Sequence, residues 1–397
     1  MNRRHFLKLL AATSFAAALP SPDTRAGELT LPDVGAETQV ILAGVQKGAP
    51  QSALLDAVRT AAESATDFSW LSRGDTVLLK PVLNSGNPYP ATTSPEGIHA
   101  MISLLKEKGA GRVVVSDMSG IEHVKLSPDG LRGSSRTLME ASGMAKAAIA
   151  GGAELYFPEE EGWDAFFEDG PASGSNWKAA IMMPSILKEV DHIVLMPRCS
   201  RHILAGSTLG LKAAVGYWRT DSRLEYHRDA ATFQEKTAEA NTVPSLMDKQ
   251  RLVLTVATAT LSTFGPDKGF VSEPEMGLVI ASKSVVAHDM VSLAWLLENR
   301  ARVPEKNKTG SHDPYTSQFM VNIANRVVVK WLGGIGAALT SERLVRNDIN
   351  TIWDDRILNR AFHLWGGVPK VALLTSNDEV LSDIMRKLSE SVTLPNV

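Results

Sequence analysis

The chain has 397 residues, a formal net charge of −3, and apolar and charged fractions of 44% and 21%, ordinary values for a soluble globular protein. This balance excludes the basic footprint that binding to nucleic acid or anionic lipid requires. The length admits one large α/β domain or two smaller ones. A single cysteine, Cys199, excludes an intrachain disulfide and any iron–sulfur cluster held by cysteines of this chain alone.

In chain order, Asn2-Arg3-Arg4-His5-Phe6-Leu7-Lys8 reads as a twin-arginine export motif, followed by a weakly apolar run from Leu9 to Leu19. That run is too short to span a bilayer. Residues 1–26 are therefore expected to be a signal peptide, with Thr24-Arg25-Ala26 near the cleavage site and a periplasmic or otherwise exported destination.

Gln39 to Val45 predicts a strand, and Gln51 to Ala65 an amphipathic helix through Leu54, Leu55, Val58 and Ala62. The segment from Thr76 to Gly120 then reads as strand, loop, helix, turn and strand. Ser94 is a good N-cap, Pro95 suits the first helical position, and Gly109 stops the helix. Two apolar strands with a helical crossover form a right-handed βαβ unit, which requires parallel strands.

Beyond it, residues 121–150 are polar and then alanine-rich and helical. Residues 151–180 hold clustered carboxylates, expected to form a solvated acidic loop because no ligand spacing of a known metal loop is present. His192 to Met196 predicts a buried strand, followed by a basic, glycine-containing loop and a helix near Lys212. Residues 219–250 are polar and read as a cover. Two more strands are expected at Leu252–Thr258 and Leu278–Ala281, a helix at Val285–Leu297, a late strand at Val371–Thr375 and a final helix at Glu379–Leu388.

These elements predict an α/β protein with a largely parallel sheet and helices on both faces, spanning residues 27–300. A mostly helical C-terminal extension, residues 301–397, is expected to pack on it. Ligands of such sheets bind beyond the carboxyl ends of the strands. That edge is expected to bring together Lys80, Asn84, Asp117, His202, Lys212 and Asp289. Lys80 sits inside an apolar strand, where an ammonium needs a partner: either a bound anion or Asp117. Lys212 would neutralise the same ligand, and Asn84, Ser85, Ser119 and Arg201 would contact it. Asp117, His202 and Asp289 are candidates for proton transfer or for metal coordination. No P-loop, dinucleotide fingerprint, Gly-x-Ser-x-Gly or zinc-protease spacing is present.

Three blocks in order carry a family resemblance: Val77-Leu78-Leu79-Lys80-Pro81-Val82-Leu83-Asn84 with Val113-Val114-Val115-Ser116-Asp117; Met196-Pro197 through Arg201-His202 to Thr208-Leu209-Gly210-Leu211-Lys212; and Gly265-Pro266 to Gly269, Ile280-Ala281-Ser282 and Ala287-His288-Asp289. Together they resemble the bacterial and archaeal family called domain of unknown function 362, over roughly residues 38 to 300. Many members of that family carry ferredoxin-like cysteine runs, which implies redox chemistry. This chain has none. It also has Val82 and Ala213 where many relatives show asparagine.

The expectation is an exported, enzyme-like protein binding a small anionic substrate or cofactor, with cofactor and reaction type open. Alternatives are a non-catalytic ligand-binding or assembly protein, and a redox partner whose cluster lies on another subunit.

Overall fold

The computed structural model describes residue 29 and residues 31–395. The expected signal peptide lies outside the described residues. Eight strands build the main sheet: β1 (Val34–Gln46), β2 (Thr76–Lys80), β3 (Arg112–Ser116), β4 (Glu154–Tyr156), β5 (His192–Leu195), β6 (Gln250–Ala257), β7 (Met276–Ser282) and β8 (Val368–Thr375). Their lateral order is β8-β1-β7-β6-β5-β2-β3-β4. Strand β7 lies antiparallel to its neighbours β1 and β6. Every other pairing is parallel.

Successive strand residues alternate between faces, which splits the core in two. Leu78, Val114 and Ile193 face one side, against helix α4 (Val285–Ala301) and the C-terminal elements. Val77, Leu79, Val113 and Val194 face the other, against α1 (Gln51–Ala65) and α2 (Pro95–Glu107). The cap of α2 forms as its sequence predicts: Ser94 Oγ accepts the Gly97 N–H at 3.2 Å, and Gly109 ends the helix at φ 111°.

From β2 the chain adds β3 and β4 on one side, then returns to add β5 and β6 on the other. The direction of winding thus reverses between β2 and β5, the kind of crevice where doubly wound sheets hold ligands.

Several local expectations change. The segment after β5 is a hairpin, Ser200–His202 paired with Gly206–Thr208, and not a plain loop. Gly206 takes the turn at φ 87°. A second hairpin, Lys125–Ser127 with Gly130–Arg132, precedes the helices of residues 121–150. The acidic stretch is partly internal: Phe166–Asp169 pairs with Ile181–Pro184, and buried Glu159 accepts the Ser135 N–H at 3.0 Å. The polar segment after Arg219 begins with α3 (Thr220–Arg228), whose Arg223 and Tyr226 are buried.

The C-terminal region is mainly helical. It contains α5 (Gln318–Leu339), kinked at Gly334, but it also supplies β8, which pairs with β1 from Glu37↔Lys370 to Leu42↔Thr375. Among the described residues no helix is long and apolar enough to cross a membrane.

Candidate active site

Beyond the carboxyl ends of β2, β3 and β5 lies a cavity of about 160 Å³. Its floor and walls come from loops after the strands, including Asn84, His202 and Lys212, and from Arg223, Tyr226 and His227 on α3. Its roof is α5, through Ile323, Val327 and Trp331 among others. A double hydrogen bond fastens roof to wall: Asn325 Oδ1 meets His227 Nδ1 at 2.8 Å, and Asn325 Nδ2 donates to the His227 carbonyl at 2.8 Å.

Under the cavity sits a sealed ion pair. Lys80 is fully buried, and its Nζ lies 2.8 Å from Asp117 Oδ1. It also donates to the carbonyls of Pro81 and Ala213, each at 3.0 Å. Asp117 Oδ2 accepts the Leu83 N–H at 2.6 Å. Burial lowers the pKa of Lys80 and raises that of Asp117, each opposed by the partner's charge. The short ion-pair distance, two carbonyls accepting from Nζ and the Leu83 N–H on Oδ2 all favour the charged forms of the pair. Neither residue lines the cavity. Instead the pair ties the ends of β2 and β3 to the segment that carries Lys212. That segment comes so close that a Cβ on Gly216 would lie 1.8 Å from Asp117 Oδ1.

Lys212 belongs to the short helix Gly210–Ala213. The carboxylate of Asp289, on α4, accepts the N–H groups of Gly210 and Leu211, each at 2.8 Å. Asp289 Oδ1 also meets His288 Nδ1 at 2.8 Å, while His288 Nε2 contacts Thr255 Oγ1 at 2.9 Å inside the core. Asp289 thus positions Lys212 and stays outside the cavity itself. The Lys212 ammonium has no hydrogen bond or ion pair among the described residues. Burial, reinforced by the charges of Arg198 and Arg223, pulls its pKa down to about 7.

His202 faces the cavity in a defined tautomer. Its Nδ1 accepts the N–H groups of Leu204 at 3.0 Å and Ala205 at 3.2 Å, so the ring proton sits on Nε2. Burial, then the charges of Lys212 and Arg198, hold its pKa well below the usual imidazole value. It is therefore a neutral donor. A metal at Nε2, or a proton taken up at Nδ1, would require breaking the two backbone bonds.

The remaining predicted residues separate. Arg201 precedes His202 on the same strand, so it points the other way, over the Tyr315 ring at 4.8 Å and toward Asp313 at 3.5 Å. Ser119 Oγ donates to the Asn84 carbonyl at 2.9 Å, and Ser85 Oγ accepts the Asn87 N–H at 3.3 Å. Both serines shape loops and do not line the cavity. Asn84 does line it, with a buried Nδ2 that has no hydrogen-bond partner among the described residues. Of Asp117, His202 and Asp289, only His202 lines the cavity.

Sequence reasoning passed over Arg223 as a site residue. It lines the cavity while donating to the carbonyls of Trp218 (2.9 Å), Ser119 (2.6 Å) and Met118 (2.9 Å). With no carboxylate among those contacts, it remains a buried positive charge, its pKa lowered by burial to about 10. The signal available in sequence was the spacing of Arg223 and His227, four apart on one helix face.

No curated protein matches the chain. Among solved structures, it is similar to the lactate racemase apoprotein from Thermoanaerobacterium thermosaccharolyticum, at 12% identity and TM-score 0.38, over 64% of this chain and 56% of that one. It is also similar to a protein from Thermotoga maritima, at 11% identity and TM-score 0.32, over 53% and 52%. The chain thus spans little more than half the length of either. The family model described as domain of unknown function (DUF362) matches residues 77–294, more than half of the sequence. This chain belongs to the DUF362 family.

Proposed function

We propose that this chain is an enzyme-like protein that binds a small carboxylate-bearing molecule in the cavity and moves a proton on it with Lys212. The observation that carries the proposal is the Lys212 amine: poised near pH 7, without a protein partner among the described residues, and lining a largely apolar cavity. An amine titrating near the working pH is suited to general acid–base chemistry. A cavity near this volume accommodates about a benzene-sized molecule, which favours a short oxo or hydroxy acid over a nucleotide.

Arg223 would draw the anion in, more strongly where Lys212 is protonated; only molecules whose Lys212 amine is free would react. His202, a neutral donor, would hydrogen-bond through Nε2–H to the oxygen on which charge develops. The free Lys212 amine would take a proton from the carbon beside that oxygen's carbonyl. The C–H electron pair would pass to the carbonyl oxygen as an enolate, and the new ammonium, after exchanging hydrogens with solvent, would reprotonate the carbon as the enolate collapses back to the carbonyl.

Pyruvate in deuterium oxide is the test. Wild-type protein should accelerate exchange of the methyl protons, and Lys212→Met should abolish the acceleration while keeping the melting temperature. Equal rates for the two proteins would remove Lys212 from the chemistry. Pyruvate binding without exchange would favour a non-catalytic carrier. The amino-terminal segment extends the proposal to twin-arginine export: replacing Arg3 and Arg4 by lysine should leave the protein in the cytoplasm of its host.

A further inference from the structure

The cavity wall also carries three side chains that take no part in the proton transfer proposed above. Glu122 and His123 follow β3, and Asp267 lies in the loop between β6 and β7; all three line the cavity. One potential ligand atom from each lies within 4.8 Å of the other two. Ligands held about 2.0–2.5 Å from a common ion can be separated by up to that distance. The second observation is the imidazole itself: His123 Nε2 is buried and has no hydrogen-bond partner among the described residues. A buried ring nitrogen left in this state is unfavourable unless something else occupies it.

The backbone holds the three in place. The N–H groups of His123 and Val124 both donate to the Gly120 carbonyl, at 2.9 and 3.0 Å. Asp267 is buried, and its own carbonyl accepts Asn87 Nδ2 at 3.1 Å. The preceding carbonyl, that of Pro266, accepts Arg198 NH1 at 2.6 Å. The side chains are thus presented from two anchored turns, with little ordering left to be done when a ligand arrives.

We infer that Glu122, His123 and Asp267 form a divalent transition-metal site on the wall of the cavity. One imidazole and two carboxylates suit zinc, manganese, iron(II) or cobalt(II). Calcium prefers six to eight oxygens, and the set offers no thiolate for a soft ion. The two carboxylate charges match a dication. Three protein ligands leave open coordination positions, and these face the cavity. A ligand carboxylate or carbonyl oxygen could therefore meet the ion on one side and the Lys212–His202 pair on the other. That last step rests on the proton-transfer reading; the metal site itself does not.

The test is a titration of the full-length chain, stripped with chelator, with cobalt(II) followed by its visible absorption and with zinc followed by calorimetry. One equivalent should bind, with the cobalt spectrum reporting mixed nitrogen and oxygen ligands. His123→Ala and Asp267→Asn should each weaken binding by at least about tenfold, while Lys212→Met leaves it unchanged. Glu122→Gln, on a turn, provides a third variant should either of the others fail to fold. No saturable binding by the wild type, or binding unchanged in all three ligand variants, overturns the inference. Metal binding retained in a protein without pyruvate exchange would leave this site standing and remove only the reaction proposed above.

Discussion

Asp289 holds the turn beneath Lys212 by accepting the two N–H groups that open it, Gly210 and Leu211, each at 2.8 Å. Asp289→Asn keeps the size but offers one acceptor oxygen for two donors, setting an amide NH₂ against an N–H. Unfolding in urea should show a loss of about 1–3 kcal/mol. A second readout separates positioning from bulk stability: the midpoint for reductive methylation of Lys212 should rise toward the ordinary lysine value as the turn loosens. An unchanged midpoint would mean that Asp289 does nothing for Lys212.

The Lys80–Asp117 pair should behave as a structural element. Removing one partner of a buried ion pair strands the other, at a cost of about 3–5 kcal/mol. Lys80→Met and Asp117→Asn should each lower stability by that order, and the double variant should recover part of the loss. Single variants within about 1 kcal/mol of wild type would contradict a sealed pair.

Lys212 gives two pH dependences. Its folded pKa of about 7 lies below the ordinary lysine value, so between about pH 7 and 10.4 the unfolded chain binds the extra proton. Stability relative to Lys212→Met should therefore rise with pH across that window, by at most about 1.4 kcal/mol per unit. Affinity for pyruvate should fall over the same rise, as the ammonium is lost. A flat difference curve would show that Lys212 titrates normally.

For His202 the expected result is an absence of titration. Nitrogen NMR should report a protonated Nε2 and an unprotonated Nδ1 from pH 5 to 8, because burial and the neighbouring cations keep its pKa well below the usual range. His202→Ala should leave two hairpin N–H groups without their acceptor, at about 1–3 kcal/mol. A ring that protonates near pH 6.5 would remove it as a neutral donor.

The parallel sheet was legible in sequence because its signals are local: β-branched runs at Thr76 and Arg112, Ser94-Pro95 at a helix start, Gly109 at its end. The divergence of Arg201 and His202 was not legible. It depends on recognising a three-residue strand, too short for its period of two to stand out, and on Gly206 turning it. Lys80 offered two readings, ligand or partner, and only the third dimension shows its ion pair with Asp117 and its two carbonyl acceptors. Glu122, His123 and Asp267 lie in turns with no periodicity, 144 positions apart from His123 to Asp267. Nothing local links them.

The roof of the cavity has a different origin from its floor. Ile323, Val327 and Trp331 belong to α5, beyond the stretch 77–294 that defines the family. Relatives could therefore exchange this helix for another covering and admit molecules of different shape, leaving the amine and imidazole beneath untouched. On the reading proposed above, choice of guest and means of reacting with it would be encoded in separate parts of the gene.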